Sequence, residues 1–134
     1  MTVIDDMLRS HPGHHGGVDE RLLAVCIDAA AECATACTSC VDACLAELDP
    51  ATMRETIRAG QDCADVCATT ARVLSRRTAA DTNVLRALVE ACRVACRRSV
   101  DASRGHADRS DHCRVCTDAC RRAEMACAEL LRRL

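Results

Sequence analysis

Thirteen cysteines recur along this chain at steps of three, four or seven residues within each of four proline-free stretches. Cys26, Cys33, Cys37, Cys40 and Cys44 lie on the first stretch, and Cys63 and Cys67 on the second. Cys92 and Cys96 lie on the third, and Cys113, Cys116, Cys120 and Cys127 on the fourth. Steps of this size return to one face of an α-helix. In heptad letters all thirteen fall at a or d. The seam continues through Leu23, Ala30, Met53, Thr56, Gly60, Thr70 and Leu74, then Leu85, Val89, Ser99, Ser103 and His106, and finally Ala123, Leu130 and Leu134. Arg, Asp and Glu fall on the other faces of these spans, as solvated surfaces require.

Breakers separate the stretches. HPGHHGG at 11–17 detaches a short N-terminal piece, and Asp49-Pro50 supplies an N-cap followed by an N1 proline. RRTAADTN at 76–83 and the polar residues around Gly105 mark the remaining joints. The pattern predicts an all-α fold: an antiparallel up-down four-helix bundle over 18–134, preceded by a short helix and a His/Gly linker over 1–17. The cysteines would then line the bundle axis. Counting down from the end that holds the first-to-second and third-to-fourth turns puts Cys37, Cys63, Cys96 and Cys120 at one level. Cys33, Cys67 and Cys92, facing Ala123, would sit one turn below. Cys40 with Cys116 and then Cys44 with Cys113 would sit above, and Cys26 and Cys127 deepest.

Composition narrows the function. The chain has no Phe, Tyr or Trp and a net charge of −2, so it has neither rings to stack on bases nor a basic surface for phosphate backbones or anionic lipid. All eighteen of its basic residues are arginines, with no lysine. No continuous apolar run approaches the ~18 residues of a membrane span. The N-terminal residues lack the basic and apolar regions of an export signal, so the expectation is a cytoplasmic protein without membrane or nucleic-acid partners. Thiols stay reduced in that compartment, which argues against a disulfide framework. Helical i,i+4 pairs would also strain such a bond, because their Cβ vectors run nearly parallel.

A core of Cys, Ala, Ser, Thr and Gly packs poorly compared with one of Leu and Ile, and so leaves room for something else. Small buried hydrophobes would account for one cysteine, not for thirteen on one seam. Soft-metal chemistry accounts for the set, and charge selects the metal. Four thiolates around Zn2+ leave −2 per site, whereas Cu(I) at about one ion per thiolate leaves the core neutral and tolerates shared two- or three-coordinate sulfur. Zinc is the alternative reading, a structural or regulatory module using the single layer of Cys37, Cys63, Cys96 and Cys120. Iron–sulfur ligation draws on loops with tighter spacing. A thiol redox enzyme would need an accessible, low-pKa cysteine beside a resolving one, so no catalytic role is expected.

The CxxxC pairs Cys33/Cys37, Cys40/Cys44, Cys63/Cys67, Cys92/Cys96 and Cys116/Cys120, spread over four helices, resemble those of the bacterial copper storage proteins. The resemblance spans residues 18–134. It implies a cysteine-lined bundle holding many Cu(I) ions. The lack of an export signal resembles the cytosolic branch, which implies a homotetramer and a short extra helix, for which residues 2–10 are the candidate. Copper ions are thus the expected partners, with a copper chaperone as the delivering protein.

His106 on the seam, His112 beside Cys113, and Met53 at an a position would ring the opening together with Cys44 and Cys113. Imidazole and thioether exchange Cu(I) more readily than buried thiolates, as an entry port requires. Solvated helix-end histidines are the plainer reading of the pair. Of the two, His106 is favoured because it lies on the seam. His11, His14 and His15 read as a polar linker at the other end, with weak surface metal binding as the alternative. Met7 and Met125 fall off the seam.

Overall fold

The computed structural model describes residues 2–13 and 17–134 and contains five α-helices. α1 (Val3–Ser10) is followed by α2 (Glu20–Leu45), α3 (Arg54–Leu74), α4 (Thr82–Ala102) and α5 (Asp111–Leu131). The four long helices form the expected square. α2 packs on α3 and α5, α4 packs on the same two, and the diagonal pairs meet only through side chains at the axis.

Local chemistry sets the helix starts. Asp19 caps α2 by accepting from the Arg21 N–H at 2.8 Å, and Asp81 caps α4 by accepting from the Val84 N–H at 3.0 Å. Thr2 and Asp5 form a reciprocal capping box on α1. This helix lies on the bundle with Leu8 buried and Ile4 packed beside it, and the Thr2 hydroxyl donates to Asp28 on α2 at 2.8 Å. His11 meets Thr78 of the α3–α4 turn at 3.3 Å; His14 and His15 lie outside the described residues.

Asp49 does not cap α3. It precedes a 3-10 turn, Pro50–Met53, and neither that turn nor the start of α3 has a hydrogen bond from its N-cap side chain; the Thr52 hydroxyl instead donates to the Asp49 carbonyl at 2.8 Å. The pyrrolidine ring fixes φ for a first turn, but the tighter winding postpones the α-helix to Arg54. The turn therefore lengthens the α3 side of the joint. At Gly60 α2 and α3 approach closely, and a Cβ there would stand 2.8 Å from Val41.

The seam is the core. Every seam cysteine is buried, as are Leu23, Ala30, Met53, Thr56, Gly60, Thr70, Leu74, Leu85, Val89, Ser99, Ser103, Ala123 and Leu130; His106 and Leu134 are half-buried. One leucine from each helix (Leu23, Leu74, Leu85 and Leu130) is at most 4% exposed at the end holding the α3–α4 turn. Each contributes roughly 1.5–3 kcal/mol through burial. Ion pairs stay outside, as between Arg122 and Glu32, with Nε to Oε1 at 3.1 Å. Arg77 lies outside the cysteine-bearing spans and is buried all the same. It sits in the turn after α3, Nε and Nη1 have no partner, and desolvation lowers its pKa. It lies beyond the leucines, away from the thiols. α2 is also long and apolar enough to cross a bilayer by length and mean hydropathy (1.4), which a search for continuous apolar runs does not register. Its cysteines, Leu23, Ile27 and Ala30 are buried in the bundle.

Candidate metal centre

The helical repeat aims the thiols at one axis, and they form a continuous network. Cys26 and Cys127 Sγ atoms are 3.8 Å apart next to the leucines. Further along, Cys67 contacts Cys92 at 3.6 Å and Cys96 at 3.5 Å, and Cys63 contacts Cys96 at 3.8 Å. Cys33 reaches Cys63 at 3.7 Å and Cys120 at 3.5 Å. Cys37 reaches Cys120 at 3.5 Å and Cys116 at 3.6 Å. All thirteen are free thiols.

Two sets of four have all their sulfurs within 4.8 Å of one another: Cys33, Cys63, Cys67 and Cys96, and Cys33, Cys37, Cys63 and Cys120. The flat layer of Cys37, Cys63, Cys96 and Cys120 is not among them. Register within the α2–α5 and α3–α4 pairs follows the residue count, but the two pairs are offset. Cys63 lies 3.7 Å from Cys33, while Cys37 stays within 4.8 Å of it in the second set. The tetrads share Cys33 and Cys63, so these two sulfurs can serve both sets only by bridging metal ions.

The thiols titrate as a coupled set. Hydrogen-bond contacts with Cys120, then Cys37 and Cys63, pull the Cys33 pKa down. Contacts with Cys116 and Cys120 push Cys37 up, and contacts with Cys33 and Cys63 push Cys96 up. Nearer the opening, burial and then the neighbouring Cys113 push Cys44 up to about 11. No basic side chain is among the causes of these four shifts. Only a bound cation would neutralise several thiolates here.

At the opening a third cluster joins Cys40, Cys44, Cys113 and His112, again within 4.8 Å. His112 Nε2 lies 2.8 Å from Glu47 Oε1. A carboxylate accepts, so Nε2–H donates, and Nδ1 of the neutral ring is left to accept from Cys40 Sγ at 3.3 Å and Cys113 Sγ at 3.7 Å. His106 and Met53 stand further out. They line a cleft of about 390 Å³ with Glu47, Leu48, Asp49, Thr52, Arg109 and Ser110. The seam pattern favours His106, yet geometry brings His112 to the sulfurs, because position 112 opens α5 one residue before Cys113. Glu47 is the residue the pattern misses. Its one signal is a position three residues after Cys44, one turn further along the same side.

A four-helix bundle with a thiol column along its axis, closed by leucines at one end and by polar ligands at the other, is by its chemistry a container for soft metal ions. Residues 19–132 match the copper storage protein family, Csp, and the chain belongs to that family. Its structure is similar to that of the copper storage protein Ccsp from Streptomyces lividans loaded with 10 copper equivalents. The two share 48% identity and a TM-score of 0.96, with 98% of this chain and 100% of that one covered. The five-copper form of that protein, described as cytosolic, matches at 50% identity and a TM-score of 0.85, covering 89% of this chain and 99% of that one. A variant of it with two histidines changed to alanine matches at 50% identity and a TM-score of 0.86, covering 89% and 100%. Among curated proteins none matches.

Proposed function

We propose that this chain is a cytosolic Cu(I) store whose thirteen cysteines together hold about one ion each. The observation that carries this is the sharing of Cys33 and Cys63 between two thiol tetrads inside an unbroken column. Isolated sites would not share ligands, and Cu(I) is the ion that accepts bridging thiolates at low coordination number. Filling at about one ion per thiolate also leaves the axis uncharged. The copper-loaded Streptomyces relatives support the same cargo.

His106, His112 and Met53, with Cys44 and Cys113, are the entrance ligands in this account, and residues 18–134 form the storage unit to which 1–17 is an appendage. Catalysis is not part of it, since every cysteine is buried and none is an accessible nucleophile. Assembly as a homotetramer rests on the family resemblance. The exposed Val25, Val94, Val115 and Met125 provide apolar exterior for it. A copper chaperone as the delivering protein completes the reading.

The test is elemental analysis of protein purified anaerobically after copper-supplemented growth. Many copper ions per chain, approaching the cysteine count, are expected. One or two metals per chain would refute storage.

A further inference from the structure

We propose that Cys40, Cys44, Cys113 and His112 form a separate one-ion site for Zn2+ at the mouth of the column. The inference does not depend on how the sulfurs behind it are filled. None of the four donors belongs to either of the shared tetrads.

Geometry comes first. Zinc takes four ligands in a tetrahedron, with Zn–S near 2.3 Å and Zn–N near 2.0–2.1 Å, which requires S···N edges of about 3.6 Å. Around His112 Nδ1 the Cys40 and Cys113 sulfurs lie at 3.3 and 3.7 Å, and the whole set stays within 4.8 Å. Little movement separates this arrangement from a closed coordination sphere.

The donor set differs from the column in kind. Three thiolates and one imidazole are a set that zinc commonly takes in structural sites. The site carries −1 when filled, against −2 for either four-thiolate tetrad. Its imidazole is half-buried at the opening, and Arg109 lines the adjoining cleft with Glu47, whereas the tetrad cysteines are fully buried. The column penalises a divalent ion on charge and by the sharing of two of its sulfurs; the mouth carries half that charge and shares none.

The outer partner is also in place. Glu47 accepts from Nε2–H at 2.8 Å, which fixes the tautomer that points the Nδ1 lone pair at the sulfurs. A carboxylate behind a ligating histidine orients the ring and raises its basicity toward a metal. Cu(I) binds thiolates more tightly, so zinc occupies the mouth of copper-poor protein and leaves as copper arrives.

The experiment titrates reduced, metal-free full-length protein with Co2+ and then Zn2+ under anaerobic conditions. One equivalent of Co2+ is expected to develop the visible ligand-field bands of a tetrahedral thiolate site, bleached by one equivalent of Zn2+. His112→Ala should abolish the bands and weaken Zn2+ binding by at least about a hundredfold, and Glu47→Gln by about tenfold. Cys33→Ser, which disrupts both column tetrads, should leave the bands in place. Circular dichroism of each variant separates loss of a ligand from loss of the fold. Bands that survive His112→Ala, bands that vanish with Cys33→Ser in a folded protein, or no uptake of either ion would overturn the proposal. A chain that takes many Cu(I) but no Zn2+ sinks the mouth site alone. One that takes a single Zn2+ but few Cu(I) sinks the storage reading alone.

Discussion

At one end of the bundle four leucines, one per helix, fill the axis; at the other, a methionine, two histidines and a glutamate stand around it. The helix starts divide the same way. α2 and α4 begin at the leucine end under aspartate caps, whereas α3 and α5 begin at the mouth with no side-chain cap. Aspartate caps and leucine packing are thus concentrated at the closed end, while the open end carries the polar side chains that can serve as ligands. A store needs this asymmetry, since a bundle sealed at both ends would have no route for ions and one open at both would flood its thiols.

The difference can be broken from the closed end first. Leu74→Ala or Leu130→Ala should destabilise the metal-free protein by about 2–5 kcal/mol in denaturant melts, because each side chain is fully buried. Met53→Ala at the rim should cost less. Equal losses at both ends would remove the contrast.

Alkaline titration comes next. The Cys44 thiol ionises near 9.0 when unperturbed and at about 11 in the fold, so the fold favours its protonated form. That contribution is whole below about pH 9 and is lost as pH rises through about 11. The metal-free melting temperature should fall across this window, and copper loading should abolish the fall. A flat profile would mean that the thiols are not desolvated.

The caps give the smaller effects. Asp81→Ala should cost ~1 kcal/mol, since it removes a cap hydrogen bond. Ser110→Ala at the mouth should be near neutral, within about 0.5 kcal/mol, because its buried hydroxyl has no partner. A large Ser110 effect would show that the mouth helix is capped in solution.

The periodicity of cysteine made the fold legible, because an a/d pattern specifies both the helix and the face it buries. It also placed the leucines Leu23, Leu74, Leu85 and Leu130 on that seam. Register between helix pairs was not legible. The residue count puts Cys63 level with Cys37, whereas in the fold it lies 3.7 Å from Cys33 and shares a tetrad with both. For the same reason the single layer of Cys37, Cys63, Cys96 and Cys120 gave way to two overlapping tetrads. At the mouth the a/d rule favoured His106 over His112, since it describes helix interiors and not the first turn of α5. Glu47 lay beyond it, in the irregular residues after Leu45.

The most direct test of the account is an anaerobic Cu(I) titration of reduced, metal-free protein against a competing chelator of known affinity. The account predicts uptake that continues to about thirteen ions per chain, one for each cysteine, with circular dichroism showing a folded bundle before the first addition. Saturation at one or two ions, or a chain that folds only when metal is added, would contradict it.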